Sequence, residues 1–255
     1  MDGGSNLQVA GLTNKGMERV RNEDSFYTGV ESGLALLVVA DGMGGHRAGN
    51  VASAIAVELA EQIWHRLDKN KEVAVDQARS LVGELISEAN RLVFAESERS
   101  PAKRGMGTTL TTALICENRL TIGHVGDSRA YRIRDGKISL LTKDHSLIEQ
   151  LIESGQVKPE EAENHPQRHI LTRALGVAPD LEVDITELEI EPGSTLLLCT
   201  DGLTNMIREK EILDLSERYP EPQDLAEALI NLANDRGGFD NITVAIASDI
   251  GGPLN

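Results

Sequence analysis

Aromatic side chains are scarce in this chain: three Phe, three Tyr and one Trp make up 3% of its 255 residues. Aliphatic residues and alanine must therefore fill the core, and apolar residues in total reach 40%, the level of an ordinary globular protein. Cysteine is scarcer still. Cys116 and Cys199 both lie in apolar, strand-like runs, where reduced and buried thiols are expected, and no disulfide framework is implied. No apolar stretch attains the ~18 residues of a membrane span. Residues 1–6 carry neither a basic region nor an apolar one, so no export signal is read there and a cytoplasmic location is expected, with no membrane partner. Basic charge is the remaining shortage. Against 41 Asp and Glu stand 25 Lys and Arg, a net charge of −16, which excludes a nucleic-acid binder because such proteins neutralise phosphates with Lys and Arg.

Several catalytic patterns are missing as well. There is no Gly-x4-Gly-Lys-Ser/Thr phosphate loop, so kinase or ATPase chemistry has no cradle. A thiolate phosphatase needs an arginine six residues beyond its cysteine, but Ile122 and Asn205 occupy those positions. Gly126-Asp127-Ser128 resembles a nucleophile elbow, yet none of the six histidines has the Asp three residues before it that esterases of this kind use. His165 and His169 are spaced like a zinc pair, but Pro166 between them and the lack of nearby cysteines speak for surface histidines.

What the chain does have is a repeated design. The runs Leu34–Ala40 and Thr195–Thr200 end in Asp41-Gly42 and Asp201-Gly202. Gly123-His124-Val125-Gly126-Asp127 and Gly237-Gly238-Phe239-Asp240-Asn241 bring two more aspartates to strand ends beside glycine. A strand fixes the carboxylate and the glycine lets backbone carbonyls approach, which suits oxygen ligation of a hard cation. Four such carboxylates in one site cannot all ionise without cations, so two or more Mg²⁺ or Mn²⁺ ions are expected. Two ions ~4 Å apart would share and acidify a water, presenting hydroxide to a phosphoryl or carbonyl centre. In Arg19-Val20-Arg21-Asn22-Glu23-Asp24, two bases precede two acids. There Glu23 and Asp24 suit metal-bound water, and the Arg19 fork suits phosphate.

Periodicity predicts helices through Ala56–Leu67, Ala78–Val93 and, after Pro222, Leu225–Leu232. Strands are expected near 7–12, 34–40, 108–116, 119–126, 129–134, 138–142, 182–190, 195–200 and 242–248, with Asp135-Gly136 as a hairpin turn. Short turns between consecutive strands argue for antiparallel sheets, with the first two helices covering one face together. Residues 145–180 are polar and broken by Gly and Pro, and are read as an excursion beside the site, with a short helix over 146–153.

Taken in order, these segments resemble the metal-dependent serine/threonine protein phosphatases of type 2C, bacterial type, over residues 7–249. The resemblance rests on Arg19-x-x-Asn22-Glu23-Asp24, Asp41-Gly42-Met43-Gly44-Gly45-His46, Gly107-Thr108-Thr109, Gly123–Tyr131, Thr142-x-Asp144-His145-Ser146, His165-Pro166-x-Arg168, Leu171–Gly176, Thr200-Asp201-Gly202-Leu203 and Gly238-x-Asp240-Asn241-Ile242-Thr243. It implies an α+β fold: an antiparallel β-sandwich with helix pairs on both outer faces, in four layers α-β-β-α. It further implies one phosphatase domain over 1–255, with 145–180 as a flap. The implied activity is hydrolysis of phosphoserine and phosphothreonine in proteins, reversing a serine/threonine kinase, by a monomer. By the same resemblance Asp41 bridges two metals and the Gly42 carbonyl completes one of them. Asp201 and Asp240 hold the first metal, Glu23 or Asp24 the second through water, and Asp127 with Asp201 a weaker third; Arg19 binds phosphate. Met43 stands where animal members place the histidine that protonates the leaving oxygen. His46, or a water on the third metal, is the candidate for that role.

Overall fold

The computed structural model describes residues 7–44, 48–67, 75–116, 118–162 and 165–250. Eleven strands form two sheets among them. One sheet runs β1 (Gln8–Asn14), β11 (Ile242–Ile250), β10 (Ser194–Cys199), β7 (Arg129–Arg134) and β8 (Lys137–Leu140). The other runs β2 (Asp24–Glu31), β3 (Leu34–Met43), β5 (Leu110–Cys116), β6 (Arg119–Val125) and β9 (Asp184–Glu189), with the short β4 (Gly107–Thr108) on the end of β3. Every pairing is antiparallel.

Helices α1 (Gly49–Arg66) and α2 (Val75–Glu98) pack on the second sheet, and α6 (Glu209–Arg218) and α7 (Pro222–Asp235) on the first. The four-layer α-β-β-α order expected from the sequence is therefore present. Three apolar layers lie between the four. The central one, between the sheets, contains Leu37, Val39, Ile115, Ile122, Leu196 and Leu198. Burying such a side chain is worth ~1.5–3 kcal/mol, so the sandwich needs no aromatic filling. Two of the few large rings lie over strand glycines. A Cβ on Gly29 would stand 2.6 Å from Trp64 Nε1, and one on Gly11 2.2 Å from Phe26 Cε2.

Two elements of the four layers have no counterpart in the sequence-based expectations. β2 went unrecognised because Asp24-Ser25-Phe26-Tyr27-Thr28-Gly29-Val30-Glu31 has no apolar alternation; it is an edge strand, half-buried along most of its length. α6 is also absent from those expectations, since only Ile212, Leu213 and Leu215 interrupt its polar and charged residues and only Ile212 is buried. Its start is secured by Glu211, whose carboxylate accepts from the Arg208 amide at 3.1 Å. The thiols are unbridged, but Cys116, at the end of β5, is only part-buried while Cys199 is fully enclosed.

The excursion after β8 holds α3 (Leu147–Glu153), capped by the Ser146 hydroxyl, and α4 (Pro159–Ala162). Its two ends are clamped together: Leu147 N donates to Ile170 O at 2.8 Å and Thr172 N to His145 O at 2.8 Å. The clamp is fastened to the sandwich by His145. Its Nδ1 accepts from Gly126 N at 3.2 Å and its Nε2 meets Asp184 Oδ2 at 3.1 Å. His124 of β6 lies against it, with ring centroids 4.8 Å apart. His124 is held neutral by burial, with His145 beside it, and its pKa falls to about 4 from an ordinary 6.5. Between those values the unfolded chain binds a proton that the folded chain refuses, so stability falls as pH drops from 6.5 toward 4. The full difference is on the order of 3 kcal/mol. Urea titrations in chelator should therefore show a shallower pH slope for His124→Gln than for the parent over that window. Equal slopes would mean that this ring does not govern acid stability.

Candidate metal centre

Strand register brings the aspartates to one end of the sandwich. Asp24 and Asp41 are direct partners across β2 and β3. Thr109 N donates to Asp41 O at 2.9 Å, which ties the end of β3 to the start of β5. In the other sheet Cys199 pairs with both Arg129 and Val244, so Asp201, two residues past Cys199, emerges near Asp127 and Asp240. The strands that carry Asp41 and Asp201 thus end on the same side.

Close backbone packing holds these ends together. A Cβ on Gly42 would lie 2.2 Å from Gly49 O, and one on Gly202 only 1.9 Å from Asn241 O. Glycine after each aspartate is therefore required by contact with a neighbouring chain segment. Gly126, before Asp127, takes φ +115°, a conformation that side chains resist, and its Cα faces Thr109.

A cavity of roughly 530 Å³ opens at this end. Arg19, Glu23, Asp41, Gly42, Asp127, Asp201 and Asp240 all line it, together with Asn241 and the flap residue His169. Asp24 does not line it and stands behind the wall, 8% exposed. Its Oδ2 accepts from Thr200 Oγ1 at 2.9 Å and from Thr243 Oγ1 at 2.6 Å. Arg19 reaches Asp240 Oδ2 at 2.7 Å. His46 lies outside the described residues.

The groups that fasten these side chains are motif members in the sequence, with no sign there of that role. Asn241 is the main one. Its Nδ2 donates to Lys15 O at 2.9 Å and Arg21 O at 2.8 Å, and its Oδ1 accepts from Glu23 N at 2.8 Å. The Arg19–Asp24 segment is thereby fixed beside Asp240. Thr109, Thr200 and Thr243 were visible only as motif members, because a hydroxyl that bonds across sheets leaves no local pattern.

Electrostatically the site is unbalanced. Burial, followed by repulsion from Asp24, Asp201, Asp127 and Asp240, raises the Asp41 pKa well above the usual carboxylate range. Burial is likewise the leading cause of the upward shifts at Asp24, Asp127 and Asp201, each increased by a neighbouring aspartate. Asp24 Oδ1 and Asp201 Oδ1 are buried with no hydrogen-bond partner. Orphaned buried carboxylate oxygens are costly, so these residues fit a site that is completed by cations. Among the described residues no three carboxylate, imidazole or thiol groups form a ready-made ligand cluster. Water must then complete any coordination sphere, as Mg²⁺ in particular prefers.

The sequence profile described as Protein phosphatase 2C matches residues 17–245. The chain belongs to the protein phosphatase 2C family. Among its relatives is the serine/threonine phosphatase stp of Listeria welshimeri serovar 6b, 39% identical over 237 residues that make up 92% of each chain. The crystal structure of the Mycobacterium tuberculosis serine/threonine phosphatase PstP/Ppp superposes with a TM-score of 0.86 at 38% identity, covering 95% of this chain and 98% of that one. A structure of the PstP catalytic domain in complex with two manganese ions, 36% identical, gives a TM-score of 0.83 over 95% of this chain and 97% of that one. Membership of the phosphatase 2C family agrees with a cavity wall that carries five carboxylates and no thiol among the described residues.

Proposed function

We propose that this cavity hydrolyses phosphoserine and phosphothreonine in proteins, using divalent cations held by its own carboxylates. The observation that carries the reading is the crowd of half-buried, mutually repelling carboxylates on one cavity wall beside an exposed arginine. Asp41, Asp201 and Asp240 would hold a first ion. Asp41 would also hold a second, with Glu23 or Asp24 acting on it through water; the Gly42 carbonyl would complete one of the two, and Asp127 with Asp201 would hold a weaker third. Manganese or magnesium suits this donor set. When bound, the ions neutralise the carboxylates and lower the pKa of water, so that a nucleophile exists at neutral pH.

The chain's own contribution is placement. Arg19 offers a planar fork that binds two phosphate oxygens at once. Its present partner is Asp240, in a pair exposed enough to be worth only ~0–1 kcal/mol, so the guanidinium exchanges readily for phosphate. The threonines and Asn241 keep the carboxylates from collapsing onto other donors. The flap over 145–180 would lie against the bound protein, since His169 reaches the cavity wall. In the same proposal the chain is one monomeric domain in the cytoplasm that reverses a serine/threonine kinase. Among the described residues no helix is long and apolar enough to cross a membrane.

The test is release of phosphate from a phosphothreonine peptide, present with Mn²⁺ and abolished by excess chelator. Turnover that persists in chelator would refute the reading. Arg19→Ala should raise KM roughly ten- to a hundredfold, because a hydrogen bond to a charged group is worth ~1.5–3 kcal/mol. An unchanged KM for peptide and for p-nitrophenyl phosphate would remove Arg19 from the phosphate.

A further inference from the structure

Next to the carboxylate cavity lies a second concavity of roughly 790 Å³. Arg19, His169 and Asp240 line both, so the two are continuous. Their charge differs in sign. The first is walled by five carboxylates, whereas four arginines (Arg19, Arg168, Arg208 and Arg236) line the second and Asp240 is its only acid. That concentration stands out in a chain of net charge −16.

The arginines are not equivalent. Arg19 is paired with Asp240. Arg236 is paired with Glu211 and donates to Met206 O at 2.8 Å, which braces the start of α6 against the end of α7. Arg168 and Arg208 are exposed and form no ion pair among the described residues. One comes from the flap and the other from the rigid wall, so they face the groove from two sides. At the rim Phe239 is 60% exposed, with Met17 nearby at 67%. Exposed large apolar groups beside unpaired cations, on an acidic protein, mark a surface kept for a partner.

We propose that this groove binds the acidic flank of a phosphorylated protein segment, with Arg168 and Arg208 taking Asp or Glu side chains while the phosphate occupies the carboxylate cavity. The inference rests on the proposed phosphatase function and adds the substrate class. An extended chain advances ~3.3 Å per residue, so the acids would lie roughly two to four positions from the phosphoresidue. Phe239 and Met17 would cover an apolar side chain between them. The net charge of the whole molecule repels acidic segments at long range, and the groove is the local exception that would let one dock in register.

Three phosphothreonine peptides test this: one with Asp and Glu flanks, one with Asn and Gln flanks, and one with neutral flanks and a second phosphate. For the parent protein with Mn²⁺, kcat/KM for the acidic peptide should exceed that for the neutral one roughly three- to tenfold, as expected for two exposed ion pairs. The ratio should fall toward one in Arg168→Ser/Arg208→Ser, and also in the parent when salt is raised from about 0.05 M to about 0.5 M. Fluorescence anisotropy of the labelled peptides in chelator should show the same order of binding without turnover. A ratio of one in the parent, or a ratio that survives both substitution and salt, overturns the proposal. So does preference for the doubly phosphorylated peptide without preference for the acidic one, which would make the groove a phosphate site. If the double variant does not fold, the parent's ratio and its salt dependence decide. If the parent hydrolyses no peptide, the phosphatase reading fails, and anisotropy still judges the groove.

Discussion

Asp41→Asn is expected to lower kcat/KM by roughly a thousandfold or more and yet to raise the thermal midpoint of the metal-free protein. The two effects have one cause. Asp41 is a half-buried carboxylate that Asp24, Asp127, Asp201 and Asp240 all repel. Without cations that repulsion is uncompensated, and a neutral amide of the same shape removes it. With cations the same carboxylate is the proposed bridge, and its loss removes several kcal/mol of transition-state stabilisation. In the parent, Mn²⁺ should raise the midpoint by several degrees, since a ligand that binds only the folded state stabilises it in proportion to the logarithm of its concentration. In Asp41→Asn that increment should shrink. Scanning calorimetry with and without chelator, alongside p-nitrophenyl phosphate kinetics, measures all three quantities. A variant less stable than the parent in chelator would show that Asp41 has a structural partner, and near-normal activity would exclude it as a ligand.

Asp127→Ala should separate metal binding from turnover. Asp127 lies in the loop between β6 and β7, on the cavity wall beside Asp201, whose charge raises its pKa after the larger effect of burial. It also lines a smaller recess of roughly 270 Å³ beneath the flap, shared with Asp201, Arg168 and His169. The pair of ions proposed at Asp41, Asp201, Asp240 and Gly42 does not draw on it. Its proposed place is beside a weakly held third ion, which would supply an acidified water near the leaving oxygen. Calorimetry should therefore find two ions bound with near-parental affinity, while kcat on phosphopeptides falls by roughly a hundredfold or more. The loss on p-nitrophenyl phosphate should be smaller, because that leaving group needs little protonation. Equal losses on both substrates would remove the proton-delivery role, and loss of the ion pair would make Asp127 a ligand of the main centre.

Much of the molecule was legible before any coordinates. The apolar runs ending in Asp41-Gly42 and Asp201-Gly202 became β3 and β10, and Pro222 opened α7 as expected. The helices around Trp64 and Leu85 cover one sheet together. Each of these carries its signal in its own residues, a continuous apolar run closed by Asp-Gly or a period of 3.6 residues. β2 and α6 lack that signal. The first is an edge strand with mixed polarity, and the second buries a single residue. Their existence depends on what they pack against.

The candidate site side chains divide along the same line. Asp41, Asp127, Asp201, Asp240, Glu23 and Arg19 could be named from sequence because oxygen ligation and phosphate binding need those residue types, at strand ends and beside glycine. That they share one cavity, and that Asp24 stands behind its wall with one oxygen unpartnered, is decided by antiparallel register and by the contacts of Gly42 and Gly202. The Asn241 clamp spans more than 200 residues of chain to reach Lys15 and Arg21. The groove joins Arg168 of the flap to Arg208 before α6. Local periodicity records only how a segment meets its own layer. Repulsion, hydrogen bonding and ion pairing act through space, so which charges are balanced and which remain free is settled only when distant segments are brought together.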